Sequence, residues 1–170
     1  MKNVILVGFM GTGKSVVGKL LAERLGRPFV DLDKKIEREA GRPVARIFEE
    51  EGEAGFRKRE RQVVRVAAAL KGHVVAAGGG VMADDENVRL LKESGWLICL
   101  TARPEVILQR TAATLQGRPL LAGGEPKERI EALLKLRAPF YAKADAAVET
   151  SDRPVREVVE EIVKWIDAKR

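Results

Sequence analysis

The segment from Gly8 to Ser15, near the start of the chain, has the residue types and spacing of a phosphate-binding loop. Its sequence GFMGTGKS matches the pattern GxxxxGK[ST], and it lies between an apolar run and a helical pattern, as that motif requires. Lys14 would place its charge on the β- and γ-phosphates, and the hydroxyl of Ser15 would bind Mg²⁺. The third glycine of a dinucleotide-binding fingerprint is missing, which rejects that alternative. The loop therefore predicts binding of a nucleoside triphosphate, with contacts from Gly11, Thr12, Gly13, Lys14, Ser15 and Val16.

Two aspartates, Asp31 and Asp33, end the second apolar run. On an extended segment alternate side chains face the same side, so both carboxylates are expected to lie together. Ligands of open parallel sheets bind beyond the carboxyl ends of the strands, which places this pair near the phosphate loop. Asp31 could hold Mg²⁺ through water and Asp33 could accept a proton from an attacking hydroxyl group. The alternative is that either aspartate only caps the following helix.

A run of three glycines, Gly78 to Gly80, ends the third apolar run. Without side chains, this backbone could approach a ligand closely and donate hydrogen bonds from its N–H groups. Gly79 and Gly80 are therefore candidate binding residues, although a simple flexible turn would have the same sequence.

Several arginines are candidates for binding an anion. Glu60 follows Arg57 at helical spacing and could hold its guanidinium group in one orientation, while Arg61 lies one residue further on. A single arginine on a helix usually faces solvent, and this caution also applies to Arg110 and Arg137. Arg118 differs, because it precedes a proline in the glycine-bounded segment 114–126. We expect this segment to be a lid whose arginine neutralises charge during phosphoryl transfer.

The elements that must position these residues alternate between strands and helices. Such alternation predicts an α/β fold with a parallel sheet and helices on both faces. The predicted strands are 3–7, 28–31, 73–77, 96–101 and 145–149. The predicted helices are 14–25, 32–40, 44–51, 56–70, 84–93, 104–113, 125–141 and 155–168.

Length and composition narrow the class of protein. A chain of 170 residues is expected to form one domain. Its single cysteine, Cys99, lies in an apolar run, which favours a buried strand position and the reducing cytoplasm. The net charge of +6 is spread among many glutamates, so we expect no nucleic-acid partner. No run is long enough to cross a membrane, and no exposed apolar stripe is evident, so a monomer is expected.

Taken together, these motifs closely resemble the shikimate kinase family, within the nucleoside-monophosphate-kinase-like group, over essentially the whole chain. The Gly8–Ser15 loop and Asp31-Leu32-Asp33 support the resemblance first. The remaining motifs are Ile47-Phe48, Gly52-Glu53, Phe56-Arg57-Lys58-Arg59-Glu60, Gly78-Gly79-Gly80, Arg118-Pro119-Leu120-Leu121, and Arg137 with Tyr141.

The resemblance implies a three-layer α/β/α fold with a five-stranded parallel sheet in the order 2-3-1-4-5. It also implies transfer of the γ-phosphoryl group of MgATP to the 3-hydroxyl of shikimate. Acceptor-binding helices at about 32–61 and a mobile lid at about 112–125 would enclose the site. The implied catalytic residues are Lys14, Asp33 and Arg118. The implied metal contacts are Ser15 and, through water, Asp31. The implied shikimate contacts are Asp33, Arg57, Gly79, Gly80 and Arg137. Arg110, Arg118 and Pro154 would add nucleotide contacts.

Two alternatives remain open at this point. A related kinase such as gluconate kinase also joins a phosphate loop to a sugar-acid site, and Arg57 and Arg137 would suit any carboxylated polyol. A catalytically silent binding module would retain the fold, but loss of Lys14, Asp33 or Arg118 would be expected in it, and all three are present.

Overall fold

A computed structural model describes residues 1–112 and 124–169 of the chain. Its centre is a five-stranded sheet in the order β2-β3-β1-β4-β5, in which every neighbouring pair is parallel. The strands are β1 (Asn3–Val7), β2 (Phe29–Asp31), β3 (Val74–Ala76), β4 (Gly95–Thr101) and β5 (Ala146–Glu149). The predicted strand order is confirmed, and the predicted strand limits are within one residue of those observed.

Helices connect successive strands and cover both faces of the sheet. They are α1 (Lys14–Leu25), α2 (Leu32–Ala40), α3 (Val44–Ala69), α4 (Asp85–Ser94), α5 (Pro104–Thr111), α6 (Pro126–Tyr141) and α7 (Val155–Asp167). The two helices predicted at 44–51 and 56–70 form the single element α3, which is interrupted at Gly52 (φ 71°, ψ −180°). A 3₁₀ turn at Val81–Ala83 was not predicted, since it is too short to show a periodic pattern.

The alternation of side chains along β1 divides the interior into two cores. Ile5 and Val7 point to the face covered by α3 and α4, whereas Val4 and Leu6 point to the face covered by α1 and α7. All four side chains are fully buried. A strand buried on both faces is typical of the middle of a parallel sheet, and this arrangement confirms the predicted three layers.

The predicted burial of Cys99 is confirmed. Burial raises the pKa of its thiol to about 11, so the thiol stays protonated at neutral pH. Within the described ranges, no helix combines the length and the apolar composition needed to cross a membrane. Residues 113–123, which make up most of the predicted lid, lie outside the described residues.

Candidate active site

The phosphate loop connects β1 to α1 at the carboxyl edge of the sheet. Gly13 takes the N-cap position of α1 with a left-handed backbone (φ 98°), a conformation that favours glycine. The Lys14 ammonium folds back over the loop and donates to the carbonyl oxygens of Gly8 and Phe9, at 2.8 and 2.9 Å. The loop thus joins a helix N-terminus to a full positive charge, a combination that attracts phosphate.

Ser15 and Asp31 meet beside this loop. The Ser15 hydroxyl donates to Asp31 Oδ2 at 2.5 Å, while Asp31 Oδ1 accepts from the backbone N–H groups of Asp33 and Lys34. Asp31 therefore does cap helix α2, as the alternative interpretation required, but its second oxygen is directed to the phosphate loop. Two adjacent oxygen atoms of this kind are suitable ligands for a hard cation such as Mg²⁺.

Asp33 reaches the same edge by a different route from the one predicted. Strand β2 ends at Asp31 and α2 begins at Leu32, so Asp33 lies in the first helical turn and not on an extended segment. Strand alternation was therefore the wrong reason for placing the two carboxylates together. The cap formed by Asp31 turns the chain at this point, and both aspartates line the same cavity.

The glycine triplet after β3 is in close contact with the charged side chains of the site. A Cβ atom on Gly78 would lie 2.9 Å from Asp33 Oδ1 and 2.9 Å from Glu60 Oε2. A Cβ atom on Gly79 would lie 3.2 Å from Arg137 Nη1, and one on Gly80 would lie 2.5 Å from both terminal nitrogens of Arg57. The simple-turn alternative does not account for this packing, because any side chain here would displace a charged group.

The predicted pairing of Arg57 with Glu60 is present. Arg57 Nη1 donates to Glu60 Oε1 at 2.9 Å, and Arg57 Nη2 donates to Glu53 at 3.3 Å. The Glu60 side chain is only 3% exposed, and this burial raises its pKa, an effect that the charge of Arg57 opposes. Arg61 points elsewhere and lies 3.6 Å from Asp84. The helix therefore directs one of its two candidate arginines into the site.

Arg137 comes from α6 and lines the same cavity as Arg57 of α3. It is 8% exposed, and its guanidinium carbon lies 5.5 Å from the centre of the Phe9 ring. A buried guanidinium group over an aromatic face has few conformations left, which suits it to bind a planar anion.

A cavity of about 520 Å³ collects these groups. The predicted residues that line it are Gly11, Gly13, Lys14, Ser15, Val16, Asp31, Asp33, Arg57, Gly79, Gly80 and Arg137. Sequence reasoning assigned no role to Phe48 and Phe56, which form an apolar wall with ring centres 4.8 Å apart on either side of the Gly52 interruption. The sequence could have indicated that these two rings face each other only if the interruption of the helix at Gly52 had been predicted.

A second, smaller cavity of about 290 Å³ lies behind the phosphate loop. Arg110 borders it and donates to Gly11 O and to both oxygens of Thr150, at 3.2, 2.9 and 2.7 Å respectively. Arg153 and Val155 line this cavity, whereas Pro154 between them is not among its lining residues. Thr150 was missed by sequence reasoning, although its position just after β5 places it at the ligand-binding edge. Arg118 lies outside the described residues.

Comparison with known proteins agrees with this architecture. Residues 10–167 match the family model described as shikimate kinase. The chain is similar to the shikimate kinase of Caldanaerobacter subterraneus subsp. tengcongensis, with 49% identity over 96% of this chain and 95% of the relative. It is also similar to the shikimate kinase of Symbiobacterium thermophilum, with 49% identity over 98% and 97% of the two chains.

Among solved structures, a shikimate kinase is similar to this chain in both sequence and fold. The shikimate kinase from Acinetobacter baumannii, solved in complex with shikimate, is 40% identical, with a TM-score of 0.95 over 100% of this chain and 95% of that one. A gluconokinase from Sinorhizobium meliloti is 16% identical, with a TM-score of 0.58 over 96% and 90% of the two chains, and shows likeness of fold alone. The chain therefore belongs to the shikimate kinase family.

Proposed function

We propose that the chain transfers the γ-phosphoryl group of MgATP to the 3-hydroxyl of shikimate, giving shikimate 3-phosphate and ADP. The observation that supports this most directly is that one cavity is lined both by the phosphate loop and by Asp33, Arg57 and Arg137. Such a cavity brings a triphosphate and a carboxylated alcohol together, as in-line transfer requires.

The donor half consists of the phosphate loop and Lys14. The N–H groups of the loop would bind phosphate oxygens, and Lys14 would transfer its hydrogen bonds from the Gly8 and Phe9 carbonyls to the β- and γ-phosphates. Val16, which is 60% exposed at the start of α1, and Arg110 would contact the rest of the nucleotide. We place the adenine near Arg110 and Arg153, with Pro154 shaping the loop that bounds it.

Mg²⁺ would be held by Ser15 Oγ and, through water, by Asp31. The 2.5 Å hydrogen bond between these side chains supports this role, because it places two hard oxygen ligands next to each other beside the phosphate loop. When bound, the ion would neutralise phosphate charge and orient the triphosphate.

The acceptor half would bind shikimate by its carboxylate and its hydroxyl group. Arg57 and Arg137 would hold the carboxylate, and Gly79 and Gly80 would contact the substrate through their backbone. Asp33 would accept a hydrogen bond from the 3-hydroxyl group, whose oxygen attacks the γ-phosphorus as the bond to the β-phosphate oxygen breaks. The hydroxyl proton would pass to the Asp33 carboxylate or leave with the product phosphate.

Arg118 and the predicted lid complete the proposal. We propose that Arg118 approaches the transferring phosphoryl group and stabilises its negative charge. Closure over the cavity would also exclude water and so limit hydrolysis of ATP. The expected monomeric state, the cytoplasmic location and the lack of a nucleic-acid partner stay predictions.

An assay of ADP release tests the proposal directly. The chain would be mixed with MgATP and with shikimate, gluconate or no acceptor, and ADP formation would be followed by a coupled enzyme reaction. We expect rapid turnover with shikimate and only slow background hydrolysis in the other two reactions. Turnover with gluconate that equals or exceeds turnover with shikimate would contradict the assigned substrate.

A further inference from the structure

Tyr141, the chain's single tyrosine, contacts the glycine triplet from outside the substrate cavity. It is the last residue of α6, and its hydroxyl group donates a 2.7 Å hydrogen bond to the carbonyl oxygen of Gly79. Burial raises the pKa of Tyr141 to about 12, against the opposing charge of Arg137 and a hydrogen bond between the Arg137 side chain and the Tyr141 hydroxyl group. The hydroxyl group therefore keeps its proton, and remains a donor, at every pH at which the enzyme is expected to work.

The carbonyl that Tyr141 holds belongs to the same peptide unit as the N–H group of Gly80. The described residues contain no cis peptide bond, and in a trans peptide the C=O and N–H groups point in opposite directions. Fixing the Gly79 carbonyl on the Tyr141 side therefore turns the Gly80 N–H to the other side. No described hydrogen bond uses this N–H, and Gly80 lines the cavity.

The same peptide lies between the two arginines of the acceptor site. A Cβ atom on Gly79 would be 3.2 Å from Arg137 Nη1, and one on Gly80 would be 2.5 Å from the terminal nitrogens of Arg57. A carboxylate that contacts both guanidinium groups must therefore lie against this peptide. A backbone N–H directed at a carboxylate forms a charge-assisted hydrogen bond, which is stronger than a neutral one.

We infer that Tyr141 is a positioning residue: its hydroxyl group fixes the Gly79–Gly80 peptide so that the Gly80 N–H becomes a third donor to the carboxylate held by Arg57 and Arg137. A Gly-Gly peptide needs such an anchor, because glycine restricts its own backbone least of all residues. The inference rests on the proposed function, which supplies the carboxylate.

Tyr141→Phe tests the inference, because phenylalanine keeps the buried ring and removes the hydroxyl group with its hydrogen bonds to Gly79 and Arg137. The Gly80 amide resonance distinguishes the effect on the peptide from an effect on Arg137. We expect the shikimate dissociation constant to rise roughly fivefold to tenfold, as for loss of one well-directed hydrogen bond. The ATP dissociation constant should stay within about twofold of wild type. In protein labelled with ¹⁵N-glycine, shikimate should shift the Gly80 amide resonance strongly in wild type and much less in the variant.

Ser94→Ala is the matched control, since Ser94 also donates a hydroxyl hydrogen bond to a backbone carbonyl, that of Leu91 at 2.9 Å, at the end of α4. It should change neither dissociation constant. An unchanged Gly80 shift in Tyr141→Phe would overturn the inference, whether shikimate affinity stays at the wild-type level or falls through an effect on Arg137, and would leave the proposed function intact. Equal losses for ATP and shikimate would also overturn it, by indicating general damage to the fold. Failure of the wild-type chain to bind shikimate would instead refute the proposed function.

Discussion

At the scale of single residues, the proposed phosphoryl transfer depends most on Asp33, which we propose accepts the hydrogen bond from the attacking hydroxyl group. Its Oδ1 atom is buried beside Gly78, on the same side as the buried carboxyl group of Glu60. Arg57 and Arg137 bring positive charge to the same small volume. A carboxylate held in this way has a fixed direction, which a base or an orienting group needs more than it needs solvent access.

Asp33→Asn should lower kcat by roughly 10²- to 10⁴-fold, the range usually lost with a general base. Asparagine has nearly the same shape and can still accept a hydrogen bond, so shikimate binding should change far less than kcat. Steady-state rates and a direct binding titration would separate the two effects. Asp85→Asn, on an exposed carboxylate paired with Lys143, is the matched control. An unchanged kcat in Asp33→Asn would limit Asp33 to a passive contact.

At the scale of elements, the glycine triplet after β3 allows helix α3 to bring Arg57 against bare backbone. Gly80 has an ordinary backbone conformation (φ −99°), so alanine is compatible with its dihedral angles. The obstacle is spatial, because the added Cβ atom would be 2.5 Å from both terminal nitrogens of Arg57. The clash is with the far end of a flexible side chain, so the Arg57 guanidinium group can shift away from Gly80, and the substitution should damage binding more than folding.

Gly80→Ala should weaken shikimate binding at least tenfold, on the order of the loss of one charge-assisted contact, with little change in melting temperature. Gly26→Ala should show the reverse pattern. Gly26 caps α1 with a left-handed backbone and has open space around it, so alanine there should lower stability by about 1 kcal/mol without affecting the site. Calorimetric titration and thermal unfolding of both variants would check this. A large loss of stability in Gly80→Ala would contradict the spatial argument.

A second element-scale feature stabilises the interruption in α3. Glu51, just before Gly52, accepts two hydrogen bonds from Arg59 at 2.9 and 2.8 Å and is also paired with Arg42. The hydrogen bonds from Arg59, with a contribution from Arg42, lower the pKa of Glu51 to about 2. This cluster connects the two halves of α3 to the segment that follows α2.

The lowered pKa predicts how stability depends on pH. Because the pKa of Glu51 in the folded state lies below its ordinary value of 4.5, the stabilisation is complete above pH 4.5. This stabilisation is lost as the pH falls from 4.5 towards 2, because in this range Glu51 is protonated in the unfolded chain but still ionised in the folded chain. Glu51→Gln should therefore be less stable than wild type at pH 6, and this difference should shrink by pH 3.

Chemical denaturation at the two pH values would measure the effect. Glu49→Gln, which removes an exposed partner of Arg46 from the same helix, should show a much smaller difference. If the stability difference between wild type and Glu51→Gln were the same at both pH values, the cluster would stabilise the helix through packing and not through the charge of Glu51.

At the scale of the whole molecule, the proposed acceptor site is assembled from distant parts of the chain. Asp33 comes from α2, Arg57 from α3 and Arg137 from α6, with the glycine triplet at the end of β3 between them. Because the strands are parallel, their carboxyl ends lie at one edge of the sheet, where the phosphate loop after β1, Asp31 at the end of β2 and the glycine triplet after β3 line the cavity. We propose that the donor and acceptor halves share this one cavity but bind their ligands through separate sets of side chains.

Arg137→Ala tests that separation. Loss of a buried guanidinium group that binds a carboxylate should weaken shikimate binding roughly 30- to 100-fold, whereas ATP binding should change by less than about twofold. Arg137→Lys should fall between, because lysine keeps the charge but cannot form a two-pronged contact. Arg156→Ala, an exposed arginine on α7, is the control. Equal losses for both ligands in calorimetric titrations would contradict the division into two halves.

The donor half could be predicted from the sequence because its contacts are local. A strand, a glycine loop and a helix in succession determine where the N–H groups, Lys14 and Ser15 point, and every predicted strand limit is observed within one residue. The cap formed by Asp31 could be foreseen for the same reason. The interruption of α3 at Gly52 could not, because its cost is offset by contacts between residues that only the folded chain brings together.

The phosphate loop and the alternating order of elements were thus determined by the sequence itself. Only the tertiary structure decided which charged residues face the cavity. Arg57 and Arg61 lie four residues apart on the same helix, yet Arg57 lies against Gly80 whereas Arg61 lies near Asp84. The physical reason is that the direction of a side chain from a helix depends on how the helix packs on the sheet, which short-range patterns do not specify.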